Sequence, residues 1–137
     1  MNDGIVITIV DDDESLRKAI KRLINAVGLG VEDFASAEDF MYSDRSQDAA
    51  CLILDVQLPG MNGLELQRQL LTSDCRVPII FISAKDDGQA RQRALEAGAV
   101  DFLQKPFSED TLFNAINSAL ALNGRGVVGS SDQGDLV

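Results

Sequence analysis

Histidine is absent from the 137-residue sequence, and that one absence excludes several functions. A histidine-based catalytic triad, a His-ligated zinc site and a phosphohistidine carried by this chain are all ruled out. Basic residues are few: 12 Lys and Arg against 22 Asp and Glu give a net charge of −10. Affinity for a nucleic-acid backbone rests on Lys and Arg neutralising phosphates, so direct nucleic-acid binding by this domain is not expected. An acidic surface suits basic partners, and it equally serves solubility. Cysteine occurs twice, at Cys51 and Cys75. Two unclustered thiols make neither a disulfide framework nor a metal site, and a reducing cytoplasm is the simplest reading. Met1-Asn2-Asp3-Gly4 carries no basic n-region and no long apolar run follows, so neither a signal peptide nor a membrane span is expected. The 45% apolar and 25% charged fractions are those of one globular domain long enough to bury an ordinary core.

The informative stretch is Cys51-Leu52-Ile53-Leu54-Asp55, followed by Gln57-Leu58-Pro59-Gly60. A short apolar run bounded by Pro and Gly reads as a strand buried on both faces, with a carboxylate where it leaves the core. Ile5–Val10 and Pro78–Ile82 are two more continuous apolar strands, ending in Asp11-Asp12-Asp13 and Ser83-Ala84-Lys85. Val31–Ala35 and Val100–Gln104 are mixed strands, the second running into Lys105-Pro106.

Helical patterns lie between the strands. Leu16, Ile20, Leu23, Ile24 and Val27 share one face, with Arg17, Lys18, Lys21 and Arg22 opposite, and Gly28 stops that helix. Ser36 with Asp39 forms the capping signature of a second helix, which gives way to the polar stretch Ser43–Asp48. Asn62 caps a third, with Leu66 and Leu70 inside. A fourth begins around Asp86 or Asp87, with Ala90, Ala94, Leu95 and Ala97 as a weak inner face. Ser108 caps a fifth, facing inward through Leu112, Phe113, Ile116, Ala119 and Leu120. Residues 123–137 turn to Gly and Ser and read as a flexible tail or the start of an interdomain linker.

Alternation of five strands and five helices predicts an α/β fold with a parallel sheet. Continuously apolar strands belong in the centre and mixed strands at the edges, which with right-handed crossovers fits the order 2-1-3-4-5. Ligands in such sheets bind at carboxyl strand ends beside the switch between strands one and three. Asp11, Asp12, Asp55, Ser83 and Lys105 all fall on that rim. Alone, each has a plainer explanation: Asp12 or Asp13 can cap a helix, Asp55 a turn, Ser83 can be a loop hydroxyl and Lys105 a solvated charge. Together they make a site. Close carboxylates must take protons or a cation, and an all-oxygen cluster suits Mg²⁺. Asp55 can then serve as a nucleophile towards phosphorus, with Lys105 and Ser83 meeting the phosphoryl oxygens.

Val10-Asp11-Asp12-Asp13, Leu54–Gly63, Phe81-Ile82-Ser83-Ala84 and Asp101–Phe107 resemble the signatures of a response-regulator receiver domain of two-component signalling, a flavodoxin-like (βα)5 fold. The resemblance covers roughly residues 4–122, so residues 1–122 are expected to form the receiver. It implies that Asp55 is phosphorylated from the phosphohistidine of a sensor histidine kinase or a phosphotransfer protein. It implies that Asp11, Asp12, Asp55 and the backbone carbonyl of Gln57 hold Mg²⁺, with Mn²⁺ as the alternative. It places Ser83 and Phe102 at the switch positions and Lys105 on the phosphoryl group, and it implies a cis bond before Pro106. The fourth helix, fifth strand and fifth helix become the output surface and the expected homodimer face. Phe34–Glu38, Pro59–Gly63 and Gly98–Phe102 are most similar to receivers joined to helix-turn-helix output domains, which implies transcriptional control through an output not in these residues.

Two other functions compete. An Mg²⁺-dependent phosphohydrolase with an aspartyl nucleophile usually has an acid/base Asp two residues later, where this chain has Gln57. A constitutive interaction domain with a degenerate site does not need the complete set of Asp11, Asp12, Asp55, Ser83 and Lys105. The expected function is therefore a phosphorylatable signalling module and not a turnover enzyme.

Overall fold

The computed structural model describes residues 4–43 and 48–122. The expected tail or linker over 123–137, and part of the polar stretch after the second helix, lie outside those residues. Five strands alternate with five helices: β1 Val6–Val10, α1 Glu14–Ala26, β2 Gly30–Phe34, α2 Ala37–Tyr42, β3 Cys51–Asp55, α3 Gly63–Thr72, β4 Ile79–Ser83, α4 Gly88–Glu96, β5 Asp101–Gln104 and α5 Glu109–Leu122. All strand pairs are parallel and the order is β2-β1-β3-β4-β5, as the apolar patterning requires.

Because side chains alternate along a strand, the sheet feeds two cores. Ile7, Ile9 and Ile53 join Ile20 and Ile24 of α1 and Leu112, Phe113 and Ile116 of α5 on one face. Val10, Leu52, Leu54 and Phe81 join Phe40 of α2, Leu66 of α3 and Ala90 and Ala94 of α4 on the other. β3 is buried at every position. The edge strand β5 is better covered than a mixed pattern suggests: Phe102 packs towards α4 and Leu103 towards α5, both buried.

Local chemistry explains most boundaries. Asp13, not Asp12, caps α1, accepting the Leu16 N–H at 3.2 Å. Gly28 ends that helix with φ +88°, a backbone that costs glycine nothing. Ser36 accepts the Asp39 N–H at α2, and Asn62 with Glu65 forms a reciprocal capping box at α3. Asp87 caps α4 by accepting the N–H groups of Gln89 and Ala90. The expected inner face of α4 is half right. Ala90 and Ala94 are buried, but Leu95 is exposed and Ala97 lies beyond the helix end, also exposed. At 3.6 residues per turn Ala90 and Ala94 stack, whereas Leu95 turns about 100° off their line.

Candidate functional site

Strand register assembles the acidic rim. Val10 pairs with Leu54 across β1 and β3, so Asp11 and Asp55 stand side by side at the ends of the two central strands. Asp55 pairs with Ile82, so Ser83 stands one residue further along β4; Ser83 pairs with Gln104, so Lys105 follows on the next strand. Each functional group is thus one strand and at most one residue from the next.

Asp11 is fully buried and Asp55 is 4% exposed, while Asp12 faces solvent. Their carboxylate oxygens lie within 4.8 Å of one another. The Lys105 ammonium bridges the two buried members, at 2.9 Å from Asp11 Oδ2 and 3.2 Å from Asp55 Oδ2. The other oxygens accept backbone donors: Asp11 Oδ1 takes the Asp13 N–H at 2.8 Å, and Asp55 Oδ1 the Gln57 N–H at 3.0 Å. Burial first, and then the Asp11 charge, push the Asp55 carboxyl up to about 6, against the pull of Lys105 and the Gln57 N–H. Burial works against the Lys105 charge, but the Asp11 and Asp55 carboxylates outweigh it and hold the ammonium above its ordinary value.

Ser83 closes β4 with no exposed surface. Its hydroxyl faces Gln57 Oε1 at 2.9 Å and the Lys85 carbonyl at 3.0 Å. Phe102 is inward, its ring 6.2 Å from that of Phe81. The Lys105-Pro106 bond is cis. Every residue named from sequence therefore stands at this rim or on the strand beside it.

The β3–α3 loop, which carries Gln57, is held from both ends. Gly63 opens α3 so close to the Asp55 carbonyl that an added Cβ would collide with it. Gly60 turns with φ +72°, and the next residue, Met61, donates its N–H to Glu38 Oε2 at 2.8 Å, which holds that carboxyl below the ordinary range. Glu38 on α2 and Arg17 on α1, which donates to the Asp11 carbonyl at 2.7 Å, are two supports that sequence reasoning did not pick out, and it gave Gln57, which it did name, no contact with Ser83. Each acts across the fold, and no local spacing announces it. A cavity of about 340 Å³ lies elsewhere, between the end of α3 and the start of β4, with Leu70, Cys75 and Pro78 in its lining.

Residues 7–117 match the model of the response regulator receiver domain. The transcriptional regulatory protein TdiR of Thauera aromatica is 44% identical over 115 residues, covering 84% of this chain and 51% of TdiR. The response regulator protein TodT of Pseudomonas putida is 46% identical over 117 residues, covering 85% of this chain and 52% of TodT. The chain therefore spans about half the length of the curated relatives it matches. Among solved structures, the response regulator StyR superposes with a TM-score of 0.81 at 42% identity, covering 87% of this chain and 60% of that one. With these relatives, this strand order and this rim, the chain belongs to the response-regulator receiver domain family of two-component signalling.

Proposed function

We propose that Asp55 is the phosphoacceptor, and that phosphorylation there switches the surface formed by α4, β5 and α5. The convergence of Asp11, Asp12, Asp55 and Lys105 at adjoining strand ends carries this reading. The donor is the phosphohistidine of a sensor histidine kinase or a phosphotransfer protein. A carboxylate oxygen of Asp55 attacks phosphorus; the bond from phosphorus to the donor imidazole nitrogen breaks, and its electron pair leaves with the imidazole. The product is an acyl phosphate on Asp55. Lys105, already against both carboxylates, balances charge on the phosphoryl oxygens, and Ser83 gives them a hydrogen bond. Phe102, at the aromatic switch position, already lies inward against Phe81 before any phosphoryl group arrives.

The rim fits a hard divalent cation. Its donors are all carboxylate oxygens, and three carboxylates against one ammonium leave two formal negative charges. Asp11, Asp12, Asp55 and the backbone carbonyl of Gln57 would hold Mg²⁺, or Mn²⁺ in its place. When bound, such an ion neutralises phosphoryl charge.

The domain is a signalling module that catalyses its own phosphorylation and slow dephosphorylation. Residues 1–122 are the receiver, and 123–137 a tail or the start of a linker. The printed role of TdiR, transcriptional regulation, supports transcription as the regulated process, exerted through an output domain. The receiver itself, at net charge −10, makes no contact with DNA, and its α4–β5–α5 face serves homodimer formation. Among the described residues no helix is long and apolar enough to cross a membrane, which with two free thiols supports a cytoplasmic site of action.

Incubation with Mg²⁺ and acetyl phosphate should add one phosphoryl group, seen by intact mass, acid-stable and base-labile. Asp55→Asn should add none. An unmodified parent, or an Asp55→Asn protein modified to the same extent, overturns the assignment. Rapid multiple turnover of a phosphate ester would favour a phosphohydrolase instead.

A further inference from the structure

The Ser83 hydroxyl is already engaged before any phosphoryl group arrives. Its oxygen accepts the Lys85 N–H at 3.1 Å. Its one proton faces two acceptors, Gln57 Oε1 at 2.9 Å and the Lys85 carbonyl at 3.0 Å. Turning the Gln57 amide over leaves the link intact: Nε2 then donates to Ser83 Oγ, and the hydroxyl proton goes to Lys85. Asp55, meanwhile, takes its hydrogen bonds from Lys105 and from the backbone N–H of the same Gln57. Gln57 thus touches the carboxylate with its backbone and the neighbouring hydroxyl with its side chain.

We propose that Gln57 is a positioning residue that holds Ser83 in its resting place, so that a phosphoryl group on Asp55 must win the hydroxyl from the Gln57 amide before the switch moves. The proposal deepens the phosphoacceptor reading and rests on it. The Gln57–Ser83 bond belongs to the resting state alone. A contact made in one of two states biases the equilibrium towards that state by its net worth. Breaking it strands no polar group: the half-buried Gln57 amide can turn to water, and Ser83 gains anionic phosphoryl acceptors. Gln57 therefore sets a threshold for activation, and removing its amide lowers that threshold without touching the acceptor, the acidic residues or Lys105.

The test uses trifluoroberyllate with Mg²⁺ as a non-covalent phosphoryl probe, titrated by fluorine NMR into four proteins: parent, Gln57→Met, Ser83→Ala and the double variant. Methionine keeps the length of glutamine and removes the amide. Gln57→Met should bind the probe about fivefold more tightly than the parent, the worth of one ordinary net hydrogen bond. In the Ser83→Ala background the same change should have no effect. Without probe, the Ser83 and Lys85 amide resonances of Gln57→Met should move part of the way to their probe-bound positions. Parental or weaker binding by Gln57→Met, or an equal gain in the absence of the Ser83 hydroxyl, overturns the proposal alone. A parent that takes up no trifluoroberyllate overturns the phosphoacceptor reading and this proposal with it.

Discussion

The Arg17 guanidinium donates from Nε to Asp33 Oδ2 at 2.8 Å and from Nη1 to the Asp11 carbonyl at 2.7 Å. One turn later, Lys21 reaches Asp33 Oδ1 at 3.1 Å. The α1 face that reads as polar is therefore not all solvated: Arg17 is 13% exposed and ties the rim strand β1 to the edge strand β2. Burial alone would raise the Asp33 carboxyl, but the hydrogen bonds and charges of Arg17 and Lys21 outweigh it, so its folded value lies below the ordinary 3.8. The sign follows from linkage. A depressed carboxylate contributes stability that is full above the ordinary range and is lost as pH falls through 3.8 and then through the lower folded value. Asp33→Asn should cost about 1–2 kcal/mol at pH 7, more than an exposed pair because Asp33 is only 24% exposed. At pH values below 3.8 the gap between parent and variant should narrow. Urea melts at pH 7 and below pH 3.8 check this; an equal gap at the two would show that charge at Asp33 contributes nothing.

At the scale of elements, α4 and α5 are unlike. α5 buries Leu112, Phe113, Ile116 and Leu120, each worth roughly 1.5–3 kcal/mol of apolar burial. α4 buries only Ala90 and Ala94, whose methyl groups are worth roughly 0.8 kcal/mol each. Two polar ties supplement them: buried Gln67 of α3 donates to the Ala94 carbonyl at 3.1 Å, and Arg91 donates to the Phe102 carbonyl at 3.2 Å. An element held this lightly can shift when the rim beside it changes. Hydrogen exchange should therefore find the amides around Arg93 and Ala94 opening at least roughly tenfold faster than those around Ile116. Equal protection in the two helices would remove the physical basis for α4 as the moving part. The sequence made the contrast visible in part, because large apolar residues at helical spacing mark α5, whereas in α4 only Leu95 among the expected inner residues is larger than alanine. It also made the strand order visible, since β1, β3 and β4 are unbroken apolar runs, and with the order came the rim. It did not show that Leu95 turns outward, because a nine-residue helix with two small buried positions barely defines a face. Nor could it show the Gln57–Ser83 contact, which spans 26 positions and depends on where the β3–α3 loop meets the end of β4.

At the scale of the whole molecule, a net charge of −10 means that any divalent cation will favour the folded state to some degree, by relieving repulsion that grows as the chain compacts. A specific site adds a different signature. A ligand that binds only the folded protein stabilises it by RT ln(1 + [L]/Kd), about 1.4 kcal/mol at ten times Kd, or roughly 5 °C in Tm for a domain of this size. Screening depends on ionic strength and saturates with no particular stoichiometry, whereas binding at the proposed site would depend on Asp11, Asp12 and Asp55. The two separate when Mg²⁺ is compared with NaCl at matched ionic strength. The parent should gain several degrees with Mg²⁺ beyond the NaCl control and lose them on addition of EDTA. Asp12→Asn is the informative variant, since Asp12 is exposed and has neither the Lys105 contact of Asp11 and Asp55 nor the α1 cap of Asp13. It should fold with parental stability in NaCl, yet need a higher Mg²⁺ concentration for the same gain. If Asp12→Asn and the parent respond to Mg²⁺ alike, the cation is answering the charge of the surface, and Asp12 holds no metal.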